Sequence, residues 1–238
     1  MKLAIAINYV DYTNADKKER QNVAISVLVK NRPKNSILAS FNFPEDQVDV
    51  PPVFSVFKML QGDAQKDLGN NRRMPYVREI LDLCSGLNCD VFGYMNSDIL
   101  LSKDFFSVFK HPHDAFVFLK KDIEKVGLTD FLNGNIKIVN ENPYGVDAVF
   151  FNTKWWKSHR GLFPSKIVLG ETEWDTCYNA TIQKDCQNYA LERSLYHPYH
   201  DRIWTIDSRA AIHNALIWDA VRKRCGLPML TPENKGAS

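Results

Sequence analysis

Several signatures that mark large protein classes are missing from this chain. Its 11 glycines form neither G-x-G-x-x-G nor G-x-x-x-x-G-K-[ST], so the usual dinucleotide-binding turn and the P-loop are both lacking. There is no G-x-S-x-G and no H-E-x-x-H, which counts against a serine-hydrolase elbow and a zinc-protease helix. The five cysteines, at 84, 89, 177, 186 and 225, contain no C-x-x-C. An odd, scattered set fits no zinc ribbon and points to a reducing compartment. Long apolar runs are absent too. The opening residues MKLAIAINYVDYTN hold one Lys and a five-residue apolar stretch, too short for a secretory leader or a bilayer span. A cytoplasmic location with no transmembrane segment is therefore expected. Nor is there an excess of one charge. Thirty Lys and Arg face 28 Asp and Glu, a net of +2, so no basic footprint for nucleic acid is present and no nucleic-acid partner is expected.

What remains is an ordinary globular composition. Of 238 residues 45% are hydrophobic, 12% aromatic and 24% charged, enough to bury roughly 70–75% of the unfolded surface in one core. One domain over residues 1–230 is expected, with a flexible tail at 231–238. Strand-like and helix-like segments alternate along it. Leu3–Asn8 is an apolar run suited to a buried parallel strand. Thr13 or Asn14 can cap a following helix with Val23, Val27 and Leu28 at helical spacing. Ser36–Phe43 reads as a second strand and Val53–Leu60 as a modest helix-like run. Pro75 opens a helix to Gly86 with Val77, Ile80, Leu81 and Cys84 inward. Strands are expected at Cys89–Met95, Ala115–Leu119, Val146–Phe151 and Ile167–Leu169. Further helices are expected after Ser102, Thr153, Thr172 and Ser208. Repeated β-α-β order predicts an α/β fold with a mainly parallel central sheet and helices on both faces. In such sheets ligands lie at the carboxyl ends of the strands.

The most informative stretch is DVFGYMNSDILL, residues 90–101. A buried strand delivers Asn96 and Asp98, two residues apart on one face, to its carboxyl end. Mg²⁺ and Mn²⁺ take oxygen ligands, commonly one or two carboxylates beside substrate phosphates. Such a corner suits a metal–diphosphate clamp. The same residues equally suit a simple turn cap.

This segment resembles the acidic motif of GT-A-type nucleotide-sugar glycosyltransferases, family-2-like enzymes in particular, and the likeness extends as an ordered set of elements over roughly residues 1–180. The resemblance implies a Rossmann-like GT-A fold, a nucleoside-diphosphate-sugar donor (UDP, GDP or dTDP), a carbohydrate or glycoconjugate acceptor, and Mn²⁺ or Mg²⁺. It divides the chain into a nucleotide-sugar half, 1–100, and an acceptor half, 101–230. Ile7, Asn8 and Tyr9 would hold the nucleobase, and Asn42 or Asp46 the base or ribose. Arg72 or Arg73 would hold phosphate, beside a helix N-terminus that also favours anions. Asn96 and Ser97 would face the donor and Asp98 would anchor the metal. An amide at position 96 departs from the two acids of the motif.

An inverting transfer needs a carboxylate to accept the proton of the attacking hydroxyl. By resemblance that base falls in Glu171-Thr172-Glu173-Trp174-Asp175, with Asp175 preferred, Glu171 second, and Trp174 packing on a sugar. Acids in a first helical turn also simply complement the helix dipole. Asp147 would contact acceptor or donor. The histidines gather late, at 197, 200 and 213, with Asp201 near them, and His213 or His200 would complete the metal set. The same trio admits a zinc hydrolase. A sugar-nucleotide nucleotidyltransferase would usually show a Gly-rich loop after the first strand, where this chain has YVDYTNADKK. A non-catalytic carbohydrate-binding domain on the same scaffold is the remaining alternative.

Overall fold

In the computed structural model the described residues are 1–140, 146–200 and 208–227. The expected tail at 231–238 and Asp201 lie outside them. The chain forms β1 (Leu3–Ile7), α1 (Ala15–Asn31), β2 (Ile37–Asn42), β3 (Phe54–Lys58), α2 (Ala64–Leu68), α3 (Val77–Ser85), β4 (Val91–Met95) and β5 (Leu100–Leu101). A 3₁₀ turn at Phe105–Lys110 leads to β6 (Ala115–Ile123), α4 (Leu128–Asn133), β7 (Ile138–Asn140) and β8 (Val146–Asn152). The last elements are α5 (Thr153–His159), α6 (Trp174–Asp185), β9 (Tyr189–Pro198) and α7 (Arg209–Cys225).

Among the described residues nine strands join one sheet in the order β3-β2-β1-β4-β8-β6-β9-β5, with β7 on β6. Strands β1, β2, β3, β4, β6 and β9 run one way, and β5, β7 and β8 oppose them. The sheet is thus mainly parallel, as expected. Alternation along β1 sends Ala4 and Ala6 to one face and Leu3, Ile5 and Ile7 to the other. The first face is covered by α3, α5, α6 and α7 through Ile80, Trp156, Cys177 and Trp218. The second is covered by α1 and the 3₁₀ turn through Ile25, Leu28, Phe105 and Phe109. Gly93 of β4 is required by packing, since a Cβ there would overlap the Phe150 ring and the Val149 carbonyl oxygen. Among the described residues no helix is long and apolar enough to cross a membrane, and all five cysteines are free.

Three local expectations are corrected. Val53–Leu60 is not helical: its Phe54–Lys58 core is the edge strand β3, pairing parallel with β2 from Leu38↔Phe54 to Asn42↔Lys58. The aromatic and β-branched sequence FSVF fits a half-buried pleated edge better than a helix. Ile167–Leu169 forms no strand and contributes only a bridge from Val168 to Tyr76. Helix α6 starts two residues after Thr172, from Glu173 in a left-handed conformation (φ 73°).

Candidate functional site

Because β8 runs against its neighbours, its first residues meet the last residues of the parallel strands at one edge of the sheet. Asn8 and Tyr9 follow β1, Asn96 to Asp98 follow β4, Asp122 lies at the end of β6 and His197 near the end of β9, while Asp147 lies at the start of β8. This is the edge at which α/β sheets bind ligands.

Asp98 is met by two imidazoles. Its Oδ2 lies 3.7 Å from His197 Nε2 and 3.6 Å from His200 Nε2. The three ligand atoms all fall within 4.8 Å of one another. The other ring nitrogen of His197, Nδ1, is 3.0 Å from Asp122 Oδ1, the backing carboxylate that orients a metal-binding histidine. The pairing follows from register. Asp122 of β6 stands opposite His197 of β9, and β5, just beyond Asp98, pairs with β9 through Leu100↔Tyr196. Burial pushes the Asp98 carboxyl up, but the two imidazoles beside it outweigh this and hold it well below the ordinary range. Burial pushes His197 down, but Asp122 and Asp98 together raise it to about 9. Two nitrogens and one carboxylate fit a first-row ion that tolerates imidazole. An all-oxygen Mg²⁺ site would use no imidazole. His213 is not in the cluster: its Nε2 bonds to the Lys166 carbonyl at 2.9 Å, because α7 packs away from β9. Of the late histidines it is therefore His197 and His200 that join Asp98.

The amide at 96 acquires an acid from the adjacent strand. Asn96 Nδ2 donates to Asp147 Oδ1 at 2.7 Å, and Asn96 N–H to the Asp147 carbonyl at 3.0 Å. Lys120 Nζ of β6 lies 2.6 Å from Asp147 Oδ2. Asp175 adjoins this pair, its Oδ2 accepting from Val146 N–H at 3.2 Å and its Oδ1 from Thr176 N–H at 2.8 Å. Burial, then the Asp147 charge, raise Asp175 to about 6. Trp174 is a core residue. It is 3% exposed and packs edge-on to Tyr94 at 5.7 Å, because the left-handed Glu173 turns it into the core while Asp175 faces the site.

On the other rim Glu171 is buried, 3.8 Å from the exposed Arg72, and burial raises its carboxyl. Arg73 is spent on Glu45 (2.8 Å) and Asp46 (2.7 Å), so Arg73 and Asp46 neutralise one another. Asn42 is fully buried and closes the fold: its Nδ2 donates to the Tyr9 carbonyl at 2.9 Å and its Oδ1 accepts from Ser40 at 2.7 Å. Ile7 is a core residue, and Asn8 Nδ2 donates to the Phe41 carbonyl at 2.6 Å. Tyr9 lines a cavity of about 370 Å³ with Asp11, Lys18, Asn22 and the segment at 49–52. Tyr12, which carries no motif, is half-buried and lies within the fields of both Asp98 and Arg72. It joins the two rims. Tyr12, Lys120 and Asp122 escape sequence reasoning because only their partners on other strands identify them.

No protein-family model matches the chain, and no curated protein matches it in sequence. Solved structures do resemble it, and the architecture shared with them is a GT-A-like glycosyltransferase fold. S. aureus TarS 1–349 in complex with UDP-GlcNAc superposes with a TM-score of 0.55 at 10% identity, covering 94% of this chain and 65% of that chain. The glycosyltransferase GlyE of Streptococcus pneumoniae TIGR4 gives a TM-score of 0.44 at 12% identity, covering 97% of this chain and 65% of that one. The chain therefore spans less than two thirds of the TarS and GlyE chains it resembles.

Proposed function

We propose that this protein is a glycosyltransferase that moves a sugar from a nucleoside diphosphate, UDP in the first instance, to a hydroxyl of a carbohydrate or glycoconjugate. One observation carries the reading: Asp98, His197 and His200 converge at the same sheet edge as a partly buried Asp175. The UDP-GlcNAc complex of the structurally similar TarS supports the choice of donor.

Asp98, His197 and His200 would hold Mn²⁺, with Asp122 fixing the His197 ring. Bound there, the ion supplies positive charge for a departing diphosphate. The cavity beside Tyr9 has the volume for a nucleobase and ribose. Arg72, exposed beside Glu171, would receive a phosphate oxygen on the opposite rim, and Tyr12 lies within the fields of both Arg72 and Asp98. Asp175 takes the proton of the acceptor hydroxyl. With its midpoint at about 6, it is ionised at neutral pH while staying more basic than an ordinary aspartate, the compromise a general base requires. A base of this kind, acting directly on the acceptor, supports inversion at the anomeric carbon.

Thermal shift with UDP, GDP and dTDP, each with and without Mn²⁺, tests the donor site, and release of nucleoside diphosphate from the matching sugar donors tests the reaction. Metal-dependent stabilisation by UDP, and turnover lost in Asp98→Ala, are expected. Absence of metal-dependent stabilisation by any of the three overturns the reading. Pyrophosphate release from a nucleoside triphosphate identifies a nucleotidyltransferase instead, and saccharide binding without turnover a binding domain.

A further inference from the structure

The pairing around β6 is irregular just before the strand reaches the site. Ala115, Val117 and Leu119 face the layer containing α3 and α6, and Phe116 and Phe118 face the layer containing α1. Against β8 the register passes from Phe118↔Ala148 to Leu119↔Val146, so Asp147 is an extra residue of β8 with no partner on β6. Against β9 it passes from Phe118↔Glu192 to Lys120↔Leu195, so there the extra residue lies on β9. A bulge re-aims the side chains around it. The bulged Asp147 meets the Lys120 ammonium at 2.6 Å.

A lysine in that position has no lack of negative neighbours. Its side chain is 15% exposed, and the carboxylates of Asp147, Asp175 and Asp122 all act on it. Burial works against its charge, but Asp147 more than restores it, so the ammonium persists. Asp175 in turn is faced by Asp147 and Lys120 across the site and by Glu173 and Cys177 of its own helix, with Asp219 of α7 beyond Glu173. Lys120 is the positive charge in this group.

We propose that Lys120 is a positioning residue of the reaction centre, which clamps the bulged Asp147 of β8 against Asn96 and stands as the counter-charge of Asp175. The inference rests on the reading of Asp175 as base, and its test separates the two. The Asp175 carboxyl is titrated by ¹³C NMR in the full chain, with Asp175→Asn identifying the resonance. In Lys120→Met the midpoint rises from about 6 by ~1 unit or more, the usual effect of losing an opposite charge at this range. Lys120→Arg restores it to near the wild-type value. The acid limb of nucleoside diphosphate release moves in step, while the KM for the donor changes little. An Asp175 midpoint unmoved in Lys120→Met overturns the proposal. A midpoint that moves in a chain without transfer activity upholds the role of Lys120 and overturns the assignment of Asp175 instead. Should Lys120→Met not fold, Asp147→Asn gives the complementary reading. Loss of that negative neighbour lowers the Asp175 midpoint, and an unchanged one overturns the proposal.

Discussion

Replacing Asp175 by Asn should make the protein inactive and, at alkaline pH, comparatively more stable. In the folded chain the carboxyl holds its proton up to about pH 6, against 3.8 for the ordinary group. The fold thus binds that proton more tightly than the unfolded chain does. The stabilisation from it is complete below about pH 3.8 and is lost as the pH rises through about 6. A shift of this size corresponds to roughly 3 kcal/mol. Asp175 keeps some exposure, and solvent screening reduces the figure to about 1–2 kcal/mol. Asn cannot ionise, but its amide nitrogen replaces one of the two oxygens that accept from Val146 and Thr176. That loss costs about 1 kcal/mol at every pH. The variant should therefore be less stable than wild type by about 1 kcal/mol near pH 4 and equal to it or more stable at pH 8. Urea denaturation at the two pH values measures the difference of differences, in which the hydrogen-bond loss cancels. For a chain of this size about 1–2 kcal/mol also corresponds to several degrees in Tm. Loss of a general base should lower kcat/KM by ~10²–10⁴. A variant-minus-wild-type stability that does not change between pH 4 and pH 8 would refute the claim that Asp175 is a strained, charge-poor carboxylate.

Other consequences can be measured independently. Calorimetry should detect Mn²⁺ binding that is lost in His197→Ala and His200→Ala, weakened ~10–100-fold in Asp122→Asn, and unchanged in His213→Ala; equal binding of Mg²⁺ would contradict the nitrogen-containing donor set. Trp174→Ala should cost about 3–5 kcal/mol in denaturation, as for a buried aromatic, and a normal stability with a raised acceptor KM would return Trp174 to the sugar-binding role. Gly93→Ala should destabilise by about 3 kcal/mol or prevent folding, since the Phe150 ring and the Val149 carbonyl cannot both withdraw; the yield of soluble protein and its urea midpoint decide this.

The sequence by itself determined the layered α/β architecture. Short apolar runs such as LAIAI and VFGYM bury both faces, and helices such as Val77–Ser85 put Val77, Ile80, Leu81 and Cys84 on one side, so the periodicity left few other folds. It also placed the Asn96-Ser97-Asp98 corner at a strand end and an acidic helix start near Asp175, because both are local arrangements of neighbouring residues. Misreadings arose where local signal was weak. Phe54–Lys58 became a strand through pairing with β2, and the left-handed Glu173 moved the start of α6 and buried Trp174.

What only the tertiary structure decided is which distant residues share an edge. Asp98 gained His197 and His200 from β9 and the segment after it, Asn96 gained Asp147 from β8, and Lys120 of β6 met the same Asp147 where β8 bulges. A strand's alternation repeats every two residues whatever lies beside it. It therefore carries no information about neighbour or register, and long-range pairing alone converts one isolated aspartate into a site.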